Sequence, residues 1–227
     1  MTNSKVIVAL DSDNLSKIIK LVKILKNDVY AFKIGYQFFF NFGLVGYNKI
    51  YKICPKIFLD LKLHDIPNTV KNGLKGLTKL DPLLTTVHIS GGDEMMRSSS
   101  QKNKSTKILG VSILTSMDSR QTSKYYNDKN ISSLVKKFTK AAKKNKLDGV
   151  VCSPNEIKYI RKEVGKKFII VTPGIRIDDN IKKDDQKRVE TPKKAIDFGA
   201  NYLVIGRPIT ESINPLKVLK EINKTLS

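Results

Sequence analysis

Cysteine and histidine are scarce in this chain of 227 residues: Cys54 and Cys152 are the only thiols, and His64 and His88 the only imidazoles. Two isolated cysteines without motif spacing frame neither a disulfide scaffold nor a zinc site, and both read as small packed apolar residues. Two histidines make no metal cluster, and neither has a Ser or Cys partner at a recognisable spacing, so nothing points to zinc chemistry or a Ser-His-Asp triad. His88, at the end of an apolar run, reads more simply as a local hydrogen-bonding residue than as a catalyst. Long apolar runs are missing too: stretches such as Val6 to Leu10 and Phe168 to Val171 fall far short of the roughly 20 residues that span a bilayer. No membrane partner is therefore expected. Near the start, one Lys precedes Val-Ile-Val-Ala-Leu and then Asp11, too short an apolar stretch for a signal peptide and without a small-residue cleavage site. The expectation is a cytoplasmic protein.

Acidic residues are also few, 21 against 42 basic ones, for a net charge of +21. Such a field attracts nucleic acid, anionic membranes or a phosphorylated metabolite. Only six of the basic residues are arginines, however, and the lysines are scattered over nearly every helical segment. Readers of nucleic acid favour arginine forks and concentrate their charge, so no specific nucleic-acid partner is expected. The abundance of Lys, Asn and Ile looks more like codon bias than a binding surface. A glycine-rich dinucleotide fingerprint is absent after the first apolar run, where Leu10-Asp11-Ser12-Asp13 stands instead. Internal repeats, low-complexity blocks and Pro/Gly linkers are absent as well, and the length suits one large core, so residues 1–227 are expected to form a single domain.

What is present is an alternation of short apolar runs with stretches at helical spacing. The runs are Lys5 to Leu10, Tyr30 to Ile34, Ile57 to Leu61, Leu84 to Ile89, Ile108 to Leu114, Gly149 to Cys152, Phe168 to Thr172 and Tyr202 to Ile205. Leu15, Ile18, Ile19, Val22 and Leu25 recur at three- and four-residue steps, the stripe of an amphipathic helix. Leu134, Val135, Phe138, Ala141 and Ala142 repeat it before the sixth run, and Leu216, Leu219 and Ile222 predict a closing helix. Pro67 and Pro154 suit first helical turns. The aromatic run Tyr36 to Phe42 reads as a packed helix and turn rather than a base-stacking surface. Eight strand and helix units in this length predict an α/β fold, a (β/α)8 TIM barrel, with an open doubly wound sheet as the alternative that shows similar local patterns.

Polar residues gather where such a barrel would place its active site, at the carboxyl ends of the strands. Asp11, Lys33, Asp60, Lys62, His88, Thr115, Ser116, Ser153, Arg176 and Arg207 all fall at or just beyond these ends. Asp60 and Lys62, two apart on a strand, should face the barrel interior together. Burying them is costly unless charges alternate, so Lys33, Asp60, Lys62 and Asp65 are candidates for a paired network. A register-fixing ion-pair cluster is the plainer alternative. Pro173-Gly174-Ile175-Arg176 and Ile205-Gly206-Arg207-Pro208 follow the last two runs, where barrels often hold phosphate; glycine admits an anion and arginine supplies a charged fork. Either tetrapeptide alone is an ordinary turn. The polar stretch from Ile177 to Arg188 reads as a solvated loop or as a lid over the phosphate.

Taken in order, several motifs resemble the bacterial orotidine 5'-phosphate decarboxylase family almost from end to end. They include Val8-Ala9-Leu10-Asp11, Phe32-Lys33-Ile34-Gly35, Asp60-Leu61-Lys62-Leu63-His64-Asp65-Ile66-Pro67-Asn68-Thr69, His88-Ile89-Ser90-Gly91-Gly92, Ile113-Leu114-Thr115-Ser116-Met117, Asp185-Gln186-Lys187-Arg188 and the two Arg tetrapeptides. The resemblance implies a homodimeric enzyme that turns orotidine 5'-phosphate into uridine 5'-phosphate without metal or organic cofactor. It implies that Lys62 protonates C6, that Asp60 lies beside the departing carboxylate, and that Lys33 bridges charge array and ribose. It further implies that Asp65 and Thr69 reach a neighbouring subunit's site, that Asp11 binds ribose, that Thr115 and Ser116 hold the pyrimidine edge, and that Arg176, Gln186, Gly206 and Arg207 take the phosphate. Asp-x-Lys-x-x-Asp is shared with phosphosugar decarboxylases and aldolases that need a divalent cation, and these form the alternative enzyme reading.

Overall fold

Eight parallel strands close on themselves in sequence order in the computed structural model, which describes residues 4–100, 105–176 and 190–226. The strands and helices alternate: β1 (Val6–Ala9), α1 (Leu15–Leu25), β2 (Ala31–Ile34), α2 (Tyr36–Ile53), β3 (Ile57–Leu63), α3 (Pro67–Leu77), β4 (Leu84–His88), α4 (Gly92–Ser99) and β5 (Lys107–Val111). There follow α5 (Ser119–Tyr126), α6 (Ile131–Lys144), β6 (Gly149–Val151), α7 (Ile157–Val164), β7 (Ile169–Thr172), α8 (Pro192–Asp197), β8 (Tyr202–Ile205), α9 (Arg207–Thr210) and α10 (Pro215–Thr225). β8 pairs back onto β1 with Val6 opposite Leu203, so no sheet edge is left open. The (β/α)8 barrel is thus the architecture, and the open sheet is excluded by that closure.

Local chemistry explains where the helices begin. The Asn14 side chain accepts from the Lys17 amide at 2.9 Å, Asp118 and Gln121 form a reciprocal capping box before α5, and Asn130, Thr191 and Asn214 cap α6, α8 and α10. Pro67 opens α3, while Pro154 opens a short 3-10 turn, Pro154–Glu156. In α1 the buried face is Ile18, Leu21, Val22 and Leu25, as the stripe requires, with Leu21 added. The aromatic run behaves unevenly: Phe38 is buried, Phe40 is 78% exposed, and α2 is kinked at Gly43, whose φ of 52° suits glycine.

Two apolar layers result from the period-two strands. Outward-facing residues such as Val8, Phe32, Ile34 and Leu59 pack with the helical stripes in the main core. Inward-facing Ile7, Ala31, Phe58, Leu84, Leu109 and Val171 fill the barrel itself. That inner plug matters for the site, since it floors the barrel beneath the polar side chains of the carboxyl rim.

Candidate active site

One step further along the inward positions, past Ala9, Phe58, Val111 and Val204, the lining changes to Asp11, Lys33, Asp60 and Lys62, and a cavity of about 730 Å³ opens at the carboxyl rim. Arg176, Gly206 and Arg207 stand on its wall, as do Thr115 and Ile113 after β5. The parallel register accounts for this: every strand delivers its last inward residue to the same rim.

Two ion pairs organise the floor. Lys62 Nζ lies 2.8 Å from Asp60 Oδ2, and Lys33 Nζ lies 3.1 Å from Asp11 Oδ1. Asp60 is only 7% exposed. Burial alone would raise its carboxyl, but the charges of Lys62 and Lys33 and hydrogen bonds from Lys62 and Thr86 outweigh that and hold it below the ordinary carboxylate value. It is therefore an anion wedged between ammonium groups. Gly35 leaves room for the second pair: a Cβ there would stand 2.9 Å from Lys33 Nζ and 3.3 Å from Asp11 Oδ1.

Of the residues singled out from the sequence, Asp11, Lys33, Asp60, Lys62, Thr115, Arg176, Gly206 and Arg207 line this one cavity. Asp65 and Thr69 do not; both are exposed on the rim beyond β3, and Asp65 Oδ1 accepts the Ile66 amide at 2.6 Å. Ser116 is exposed and outside the lining, and Gln186 lies outside the described residues, as does the stretch 177–188. Within this chain the charged groups thus form two pairs, not a continuous four-membered row. His88 is half-buried against the His64 ring, with centroids 5.1 Å apart. Burial first, then the nearby His64 and Lys62, push its imidazole down to about 4, against an opposing pull from Asp60.

Several groups in or beside the lining carry no signal in the sequence. Tyr36, at the start of α2, lines the mouth, donates its hydroxyl to the Leu61 carbonyl at 3.1 Å and places its ring 5.7 Å from Lys62 Nζ. Gln37 and Glu211 share the wall. Thr86 touches both Asp60 and Lys62. A tyrosine in an aromatic run and a threonine inside a strand carry no motif, so only the fold reveals them. After β7, Gly174 takes φ 79°, and the backbone of residues 174–176 pairs with Glu190, holding Arg176 at the wall.

A parallel barrel with a lysine-carboxylate floor and two arginines on the β7 and β8 side defines a (β/α)8-barrel enzyme for a phosphorylated, anionic substrate. The sequence profile of the Orotidine 5'-phosphate decarboxylase / HUMPS family matches residues 4–222. The chain is 44% identical over 224 residues to orotidine 5'-phosphate decarboxylase of Wolbachia pipientis subsp. Culex pipiens (strain wPip), covering 98% of each. It is 44% identical over 231 residues to that of Wigglesworthia glossinidia brevipalpis, covering 100% of this chain and 99% of the other. The solved orotidine 5'-phosphate decarboxylase of Lactobacillus acidophilus superposes with a TM-score of 0.85 at 37% identity, covering 99% of this chain and 100% of that one. The chain belongs to the orotidine 5'-phosphate decarboxylase family.

Proposed function

We propose that this chain decarboxylates orotidine 5'-phosphate to uridine 5'-phosphate in de novo pyrimidine biosynthesis, with residues 1–227 acting as one catalytic domain. The observation that carries the reading is the Asp60–Lys62 pair at 2.8 Å on the floor of a cavity whose wall bears Arg176 and Arg207. Loss of carbon dioxide breaks the bond to C6 and leaves its electron pair in the ring plane, where the pyrimidine cannot delocalise it. The Lys62 ammonium stabilises that charge as it develops, then transfers a proton to C6, and the resulting amine regains a proton from water. Asp60, kept ionised by its neighbours, sits beside the substrate carboxylate and disfavours the ground state. Lys33, paired with Asp11, serves the ribose side. Arg176, Gly206 and Arg207, together with Gln186, hold the phosphate, and binding there offsets the repulsion at the reacting end. Thr115 and Ser116 hold the pyrimidine edge.

Asp65 and Thr69 complete a partner subunit's site in a homodimer. Their exposure on the rim, next to Ile66 at 67% exposure, supports this reading. Among the described residues no helix is long and apolar enough to cross a membrane, and a cytoplasmic location suits the pathway. The deciding experiment follows the ultraviolet absorbance of orotidine 5'-phosphate mixed with purified protein and excess chelator. Metal-free turnover is expected; absence of turnover, or dependence on an added divalent cation, would overturn the reading in favour of a phosphosugar enzyme.

A further inference from the structure

β3 and β4 fall out of step beside the cavity. Leu59 stands opposite Thr85 and Leu63 opposite Val87, so four residue steps on β3 face two on β4. The surplus chain is the segment carrying Asp60, Leu61 and Lys62, and Lys62 adopts φ 43°. That is left-handed backbone, which crowds any side chain and persists only when its surroundings hold it. Bulges of this kind re-aim side chains, and they also take backbone amides out of the ladder. Here the displaced Lys62 amide donates to Thr86 Oγ1 at 2.9 Å, and the same oxygen donates its own proton to Asp60 Oδ1 at 2.8 Å. Thr86 is fully buried. Because a hydroxyl has a single proton, accepting from the amide sends that proton to the carboxylate, which suits an ionised Asp60. The other Asp60 oxygen receives Lys62 Nζ.

We propose that Thr86 is a positioning residue for the proton donor, its one hydroxyl clamping the Lys62 backbone in the bulge and aiming the Asp60 carboxylate at the Lys62 ammonium. This rests on the decarboxylase reading above. Asp60 is faced by Lys62 from its own strand, Lys33 from β2, Thr86 and His88 from β4, and Tyr36 from α2. His64 stands behind His88, and Asp11 pairs with Lys33. Among these, Thr86 is the uncharged group whose hydrogen bond favours the ionised carboxylate. Its removal raises the Asp60 carboxyl while the surrounding charges stay, so the acidic limb of the rate profile moves to higher pH.

The test compares Thr86→Val, Thr86→Ser and Thr85→Val with the wild-type chain, measuring kcat, KM and the pH profile on orotidine 5'-phosphate beside thermal melting. Thr85 is the control, since it is equally buried and donates to the Leu59 carbonyl at 2.9 Å, on the other face of β4. Thr86→Val is expected to lower kcat roughly 10- to 100-fold, the loss expected for a hydrogen bond to a charged group, with KM little changed and the acidic limb moved up. Thr86→Ser should restore most of the rate and the limb, while Thr85→Val should lose melting temperature and keep both. A wild-type rate and limb in Thr86→Val, or equal rate losses in the two valine variants, would overturn the proposal. Should Thr86→Val not fold, the serine variant decides: near-normal rate and limb support the clamp, and a tenfold loss in folded protein refutes it. A wild-type chain inactive on orotidine 5'-phosphate would instead sink the decarboxylase reading, and this proposal with it.

Discussion

The chemistry of the site rests on one carboxylate that burial opposes and neighbouring cations rescue. In the proposed mechanism Asp60 and Lys62 are unequal in consequence: removing the ammonium would take away both the charge that stabilises a C6 anion and the proton that quenches it. Lys62→Ala is expected to lower kcat at least about 10³-fold while far-ultraviolet dichroism stays that of the folded chain; turnover within tenfold of wild type would remove the proton-donor role. Arg207, an exposed side chain at the cavity wall, is the proposed phosphate ligand at the remote end. Arg207→Ala should raise KM for orotidine 5'-phosphate and scarcely affect the nucleoside lacking phosphate; equal losses on both substrates would show that it does not bind phosphate. His88 makes a different prediction. Its imidazole is depressed from 6.5 to about 4 in the folded chain, so the unfolded chain takes up the proton first. Its contribution to stability is full above pH 6.5 and is lost as pH falls towards 4. Urea titrations across that window should show a shallower loss in His88→Asn than in wild type, and parallel curves would contradict the assignment.

At the level of elements, a polar knot on α7 braces the entries of β7 and β8 at the end away from the cavity. Arg161 donates to the carbonyls of Gly165, Phe168 and Gly199 and to Asn201 Oδ1, at 2.6 to 3.0 Å. Asn201 Oδ1 in turn accepts the Ile170 amide at 2.8 Å, so one guanidinium ties α7 to the entries of β7 and β8. Those strands carry Arg176 and Arg207 at their other ends. Replacing Arg161 by Ala leaves several carbonyls short of donors, and a loss of about 2–4 kcal/mol of unfolding free energy is expected, with kcat of the protein that remains folded unaltered. A melting temperature unchanged by Arg161→Ala would show that solvent replaces the guanidinium without cost. The β3 bulge is the opposite kind of element, a departure from regular pairing located at the chemistry.

For the whole molecule, the proposed sharing of Asp65 and Thr69 between subunits has a consequence that no single-chain measurement reproduces. Lys62→Ala and Asp65→Ala, each nearly inactive alone, should regain activity when unfolded together and refolded or exchanged as dimers. In a mixed dimer one site receives both lesions and the other neither, so random mixing restores about a quarter of wild-type sites. Mixtures as inactive as their components would confine Asp65 to its own subunit. The net charge of +21 belongs to this scale as well: it attracts an anionic nucleotide from a distance but is screened beyond about 8–10 Å in ordinary salt.

By itself the sequence determined the eight alternating strand and helix units and most of the rim, while the pairing of β8 with β1 decided for the closed barrel over an open sheet. Period-two apolar runs, helical stripes and caps are local properties, and in a parallel barrel the last inward residue of each strand must reach the same end, so Asp11, Lys33, Asp60, Lys62, Arg176 and Arg207 could be named before any coordinates. Strand ends were less legible: β5 stops at Val111 rather than Leu114, because a strand ends where its neighbours stop pairing. The tertiary structure alone decided the pairing of charges. Regular alternation already turns Asp60 and Lys62 to one face, but the bulge with left-handed backbone at Lys62 that carries the pair is not legible in the sequence. Lys33 turns to Asp11, and a threonine from the adjacent strand holds the arrangement. Such contacts join residues more than twenty positions apart, and the choice among competing partners depends on distances of a few tenths of an ångström, which no one-dimensional pattern encodes.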